Sequence, residues 1–335
     1  MAEQNVRIVL ARRPQGTVTA ECFGSERTGI PEPAEGEVIV RNRLLSLDPY
    51  MRPRMTELHS YTPPFELDQP LTGGGIGEII KSRTDRLTEG DVVVGMLDWA
   101  LYTRHNGIGL RKIDPAAAPL PAFLGILGMP GFTAWHGIKR IGQPKPGETV
   151  FVSAATGAVG QLAGQLARLA GARVVGCAGS SAKCDWATRE LGYDACFDHR
   201  RERDYARVLR ELCPKGIDVD FENVGGAIFH AVFAAMNNFG RMIMCGMISE
   251  YQDSTPQLGP EKMFTIVQKR LRIEGFIVSD HVRDMGSFLS EVGGLLRDGK
   301  IKSRETIVEG LANAPSAFLG LLQGENFGKL IVRIA

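Results

Sequence analysis

The chain has 335 residues, 44% of them hydrophobic, with 39 basic against 38 acidic side chains and a formal net charge of +1. That length can bury a large core, and about 150 residues per domain predicts two domains. The balanced charge argues against a nucleic-acid partner, and the absence of a signal-peptide core or an apolar run of about 18 residues predicts a soluble, intracellular protein without membrane association.

Up to about residue 125, short alternating or apolar runs are broken by Gly and Pro: "GEVIVRNRLLSLDP", "GIGEIIKSR" and "GDVVVGML" read as strands of a β-rich barrel or sandwich. From about residue 145 the rhythm becomes strand, helix, strand. "ETVFVSAA", "ARVVGCAG", "DACFDH", "IDVDFENVG" and "GRMIMCGM" are strand candidates, separated by the periodic "GQLAGQLARLA", "AKCDWATRELG", "RDYARVLRELC" and "AIFHAVFAAMN". This alternation predicts an α/β unit with a mostly parallel sheet. "LRIEGFIV" reads as a further strand and "MGSFLSEVGGLLRDG" as a helix, and the last thirty residues carry two strand candidates around a helix, placing them back with the first domain. Six scattered cysteines without C-x-x-C, dispersed histidines and no H-E-x-x-H predict no disulfide framework and no metal.

Within the stretch "VFVSAATGAVG", an apolar run meets a glycine turn and a helix follows, which gathers backbone N–H groups and the positive helix end where a pyrophosphate can sit. In the dinucleotide fingerprint the first glycine is replaced by Ala155, while Gly157 and Gly160 are present. The acid that holds a ribose diol is missing after the second strand, where Gly179, Ser180 and Lys183 stand instead. A carboxylate there would repel a 2′-phosphate; a serine and a lysine favour one, so NADP (NADPH) is expected over NAD. The same absence disfavours an AdoMet-dependent methyltransferase. Ser153 lacks a G-x-S-x-G elbow, which removes a hydrolase reading.

"LSLDPYMR", "GMPGFTAWHGI", "AATGAVGQLAGQLA", "AGSSAKCDW", "ENVGG", "CGMISEY", "GFIV" and "ENFGKLIV" occur in the order of the zinc-independent medium-chain dehydrogenase/reductases, and the chain most resembles the prostaglandin reductase and alkenal double-bond reductase branch, near its bacterial curcumin-reductase-like members. The resemblance implies a GroES-like β-rich catalytic domain over 1–128, a Rossmann doubly wound parallel-sheet domain over 129–300 and a return to the catalytic domain over 301–335. It implies NADPH-dependent reduction of the carbon–carbon double bond of an enone or enal, a cytoplasmic enzyme and a homodimer. The zinc-dependent relatives' G-H-E stretch is replaced by "TGGGIGEII".

Carried over by position, Gly157, Ala158, Val159 and Gly160 would meet the pyrophosphate, and Gly179, Ser180 and Lys183 the 2′-phosphate. Asn223, Cys245, Gly246, Met247, Phe276, Ile277 and Val278 would line the cofactor groove, Asn326 would close it, and Thr133 would lie near the nicotinamide. Where relatives carry an "NYK"-like stretch, this chain has "DHR", so His199 is the candidate to stack on the adenine. Hydride transfer leaves an enolate oxygen that needs protonated donors. The resemblance places Tyr251 beside the nicotinamide ribose, with Tyr50 and Tyr61 of the first domain as further donors. A quinone oxidoreductase of the same superfamily and a non-catalytic NADPH-binding protein are the competing readings. The loops "RMTELHSYTPPFELDQ" and "SEYQDSTPQLGPEKM" are candidates for a lid.

Overall fold

The computed structural model describes residues 4–57, 60–251, 259–260 and 262–334. The first part of the chain forms β1 (Gln4–Leu10), β2 (Phe23–Gly29), β3 (Val38–Ser46), α1 (Met51–Arg54), β4 (Thr72–Ser82), β5 (Val92–Asp98), β6 (Tyr102–His105) and β7 (Arg111–Lys112). Next come α2 (Met129–His136), β8 (Thr149–Val152), α3 (Gly160–Leu169), β9 (Arg173–Ala178), α4 (Ser181–Arg189), β10 (Ala195–Asp198) and α5 (Tyr205–Leu212). The chain continues through β11 (Ile217–Glu222), α6 (Gly226–Ala235), β12 (Met236–Met244), α7 (Phe264–Lys269), β13 (Arg272–Gly275) and α8 (Met285–Arg297). It ends with β14 (Glu305–Glu309), α9 (Ala314–Leu322) and β15 (Lys329–Arg333).

These elements form two compact units, one running to Leu124 and resuming at Glu305, the other spanning Gly125–Arg304. The divisions expected after 128 and after 300 each lie four residues from these, and local hydrogen bonds account for both offsets. Gly128 and Gly131 N–H both donate to Gly125 O at 3.0 Å, tying the glycine turn to α2. Lys302 and Arg304 N–H donate to Gln165 and Gln161 Oε1 on α3, at 2.8 and 3.0 Å, which keeps them with the second unit.

In the first unit the sheet order is β14-β15-β3-β4-β5-β7, with β6 also on β3, and β1 and β2 form a separate hairpin. All its pairs are antiparallel except β14 with β15. Trp99, Phe318, Met51 and Leu45 are fully buried in its core, so the C-terminal α9 and β15 complete the packing of the N-terminal strands. Asp98, at the end of β5, sits partly buried near Arg7, and burial pushes its carboxyl up to about 6 against the pull of that guanidinium. A raised folded-state pKa means the native state binds the extra proton, so stability falls as pH rises from about 4 through about 6. Asp98→Asn is therefore expected to stabilise the protein at pH 7.5 by about 1 to 2 kcal/mol. Thermal melts at pH 5 and 7.5 check this: the substitution must narrow the gap between the two.

The second unit's sheet is parallel throughout, in the order β10-β9-β8-β11-β12-β13. Numbered within the unit this is 3-2-1-4-5-6, the doubly wound order, whose switch point falls between β8 and β11. Two sequence expectations change here. Met236 and Asn237, read as the end of a helix, open β12, because Met236 pairs with Ile217. Strand β13 stops at Gly275, opposite the last residue of β12, so Phe276, Ile277 and Val278 leave the sheet rather than extend it.

Candidate cofactor and substrate site

The turn after β8 is the first component of the site. Its left-handed residue is Ala154, at φ 49°, rather than a glycine. Gly160 is needed for closeness: a Cβ there would stand 2.3 Å from Ala154 O. Tyr193 braces the turn from beneath, donating from its hydroxyl to Gly160 O at 2.8 Å, and Gly164 and Gly176 leave room for its ring. Gly157 N–H is spent on Ala154 O at 2.8 Å, whereas the Ala158 and Val159 N–H groups donate to no acceptor among the described residues. Two open amides at the start of the ten-residue α3 fit a pyrophosphate.

The second component lies at the ends of β9 and β10. Ser180 caps α4, its Oγ accepting from Lys183 N–H at 3.3 Å, and the hydroxyl proton remains available to a ligand. A Cβ on Gly179 would stand 3.3 Å from Arg200 Nε and 3.5 Å from His199 Nε2, so both side chains close over this bare backbone. Burial, then Arg200, lowers the Lys183 pKa. Burial, then Arg200, and to a lesser degree Lys183, lowers that of His199, against Asp198. Repulsion between Lys183 and Arg200 is relieved by an anion, and a phosphate suits the fork of an arginine beside a lysine. The "DHR" stretch thus brings Arg200, which no sequence expectation included, as well as His199.

The third component is a groove of ≈470 Å³ beyond the carboxyl ends of β12 and β13. Cys245, Gly246, Met247, Tyr251, Phe276 and Ile277, all sequence candidates, line it. Val278 does not; it begins the 3-10 turn Val278–Asp284, which brings Asp280 to the groove with no prior signal in the sequence. Tyr251 Oη accepts from Met247 N–H at 3.4 Å, and burial, followed by Cys245 and Glu250, raises its pKa, so the phenol is a neutral donor.

Glu222 organises this groove and was read only as part of a strand. Fully buried, its Oε1 accepts from Ser153 Oγ at 2.7 Å, Val224 N–H at 2.5 Å and Gly225 N–H at 2.9 Å. Its backbone carbonyl takes Cys245 and Gly246 N–H. One residue thus clamps the loop after β11 to the loop after β12. Asn223 Nδ2 donates to Ser153 O at 2.8 Å. Thr133 Oγ1 donates back to Met129 O at 2.8 Å, so its hydroxyl proton is used within α2 and it can offer a ligand only an acceptor.

The remaining candidates belong to the first unit. Asn326 Nδ2 donates to Gly328 O at 2.7 Å. Tyr61 is 59% exposed, while Tyr50 is half-buried. Burial and then the Asp48 carboxylate raise the Tyr50 pKa, with Tyr61 also close enough to contribute. Both lid candidates fall partly outside the described residues, at 58–59 and at 252–258 and 261.

Residues 6–113 match a family described as the N-terminal domain of oxidoreductase, and residues 158–292 one described as zinc-binding dehydrogenase. The chain is 43% identical to the NADPH-dependent curcumin reductase of Escherichia coli, across 99% of this chain and 98% of that protein. It is 41% identical to the NADP-dependent 2-alkenal reductase of Nicotiana tabacum, across 91% and 89%. Vibrio vulnificus CurA, solved in complex with NADPH, superposes with a TM-score of 0.93 at 43% identity, covering 98% and 99% of the two chains. Escherichia coli quinone oxidoreductase shares the fold, at a TM-score of 0.80 and 20% identity.

The zinc in one of those descriptions does not fit the residues present. Among the described residues no three His, Cys, Asp or Glu side chains converge, so the donor set zinc requires is not assembled. Turnover is expected to survive exhaustive chelation; activity lost to a chelator and restored by zinc would contradict this.

Proposed function

Because the chain belongs to the medium-chain dehydrogenase/reductase family, in the branch of the curcumin, 2-alkenal and prostaglandin reductases, we propose that it reduces the carbon–carbon double bond of α,β-unsaturated ketones or aldehydes with NADPH. The carrying observation is one unit that combines an acid-free exit from β9, a basic cluster of Lys183, Arg200 and His199, and a tyrosine-edged groove.

Ala158 and Val159 N–H would hold the pyrophosphate, and Ser180, Lys183 and Arg200 the 2′-phosphate. The loop from Cys245 to Tyr251, fixed by Glu222, would seat the nicotinamide half. Bound NADPH supplies the hydride received by the substrate's β-carbon. Negative charge would then develop on the carbonyl oxygen, which Tyr251 would meet with a protonated phenol, with Tyr50 and Tyr61 as the candidate donors of the first unit, and water or a tyrosine would deliver to the α-carbon the proton that completes the saturated product. Met247, Phe276 and Ile277 give the open groove an apolar side, against which a bound substrate would lie beside that hydrogen bond. This reading carries a cytoplasmic location with it, where NADPH is available and the six free cysteines remain thiols.

NADPH oxidation with matched panels of enones, enals and quinones, followed by product identification, tests the proposal. A saturated ketone or aldehyde is expected. Turnover of quinones alone would make the protein a quinone oxidoreductase, and no oxidation with any panel member would leave an NADPH-binding protein without this chemistry.

A homodimer is the second part of the proposal. Strand β13 ends the sheet and, among the described residues, pairs only with β12, while Ile273, Phe264, Val267 and Phe239 nearby in the same unit are exposed. Antiparallel pairing of two copies about Ile273 would set Arg272 of each against Glu274 of the other, a complementary register. Light scattering is expected to report a dimer that Ile273→Lys converts to monomer; a monomeric wild-type protein at micromolar concentration would refute it.

A further inference from the structure

Lys329, the first residue of β15, is 1% exposed, and every donor on its ammonium is used. Nζ donates to Leu47 O at 2.6 Å, to Asp48 Oδ1 at 3.0 Å and to Leu330 O at 3.0 Å. Three donors meet three acceptors, so nothing is left over for a ligand. The other Asp48 oxygen accepts from Ser46 Oγ, and both of those residues are buried. Desolvating such a pair costs about as much as its attraction returns, so net stability is a poor account of its presence.

Its targets point to a different role. Leu47 O and Asp48 Oδ1 belong to the two residues immediately before Pro49 and Tyr50. Pro49 has no N–H with which to pin the turn. The turn's own bonds, Met51 N–H to Asp48 O at 3.1 Å and Arg52 N–H to Pro49 O at 3.0 Å, all lie after the point where the chain must be aimed. The four-residue α1 that follows is too short to hold its own direction. Before Pro49 the chain is tied by Leu47 N–H to Leu330 O at 3.2 Å, and what reaches past that backbone bond from elsewhere in the chain, onto the Leu47 carbonyl and the Asp48 side chain, is an ammonium 281 positions further along.

We propose that Lys329, acting through the Leu47 carbonyl and the Asp48 carboxylate, is a positioning residue for Tyr50. Its catalytic consequence rests on the reading that the Tyr50 hydroxyl meets the substrate oxygen; the placement of the ring does not. Asp48 has a second effect, since after burial its charge is what most raises the Tyr50 pKa, against Arg54.

The test uses the full-length protein labelled with ¹³C at tyrosine Cζ, with the Tyr50 line assigned through Tyr50→Phe. Lys329→Met is expected to shift and broaden that line while leaving Tyr193, buried in the second unit, unmoved. It should lower kcat about tenfold at nearly constant NADPH affinity, and in the Tyr50→Phe background it should change kcat by less than about twofold. An unmoved Tyr50 line in folded Lys329→Met overturns the proposal, as do kcat losses that multiply in the double variant when Tyr50→Phe alone lowers kcat. A moved line combined with an unchanged kcat in Tyr50→Phe alone upholds the placement and removes Tyr50 from the reaction. If Lys329→Met does not fold, Ser46→Ala, which frees only one oxygen of Asp48, must move the same line; if that line stays, the ion pair does not aim Tyr50.

Discussion

Replacing Lys183 and Arg200 together by alanine is expected to weaken NADPH binding by about 3 to 5 kcal/mol and to leave NADH binding within about 0.5 kcal/mol of the original. Each charged hydrogen bond to a phosphate is worth about 1.5 to 3 kcal/mol. The pair falls short of the sum of the single changes because these cations repel each other in the free protein, and removing one relieves the other. A pH dependence follows with a definite sign. The Lys183 pKa is lowered, by burial first and Arg200 second, so the lysine loses its proton at lower pH than an exposed lysine does. NADPH affinity should begin to fall on the alkaline side earlier than the ordinary lysine range, and Lys183→Ala should flatten that limb. His199, also shifted down, is neutral at pH 7 and adds a ring surface and a hydrogen-bonding nitrogen rather than charge. Titration calorimetry with both dinucleotides decides the matter: equal losses for NADPH and NADH would show that the cations act through the fold.

The parts of this molecule that were legible in the sequence are those in which neighbours along the chain do the work. Strand β8, its glycine turn and α3 form one contiguous signal, and the missing acid after β9 is a local fact with a direct electrostatic meaning. What escaped depends on residues that meet only in the folded chain. The turn's positive φ falls on Ala154, which the glycine pattern does not mark, and the turn's brace, Tyr193 bonded to Gly160 O, comes from 33 positions further along the chain. Glu222 reads as one more letter of a strand until Ser153, Val224 and Gly225 are seen donating to it. Asp280 reaches the groove because β13 stops where its partner stops and the chain turns, and strand length is poorly encoded in a short apolar run. Lys329 and Asp48 could not be paired by any spacing rule.

Tyr251→Phe is expected to lower kcat on an enone by about tenfold to a hundredfold while NADPH affinity changes much less. The substitution keeps the ring, so the packing of the groove against Met247 and Phe276 survives and only the hydroxyl is lost. That hydroxyl is suited to the task by its partner: it accepts from Met247 N–H at 3.4 Å, and an accepting phenol still has its own proton to donate. A Cβ on Gly246 would stand 3.3 Å from the same oxygen, so the bare backbone at that position is what lets the phenol sit against this loop. Loss of a single oxyanion donor costs about 2.7 to 4 kcal/mol in sites where it acts alone. The smaller loss expected here follows from the candidate donors Tyr50 and Tyr61 and from the ribose hydroxyl of the dinucleotide. The pH profile separates this role from that of an ionising base. Burial, Cys245 and Glu250 raise the Tyr251 pKa, so the donor persists as pH climbs past the usual tyrosine value, and the wild-type enzyme should show no loss of kcat there attributable to this group. Steady-state kinetics with cofactor affinity measured separately settles the assignment. An unchanged kcat in Tyr251→Phe would transfer the oxyanion role to Tyr50, and the Lys329 variants would then be expected to produce the larger effect.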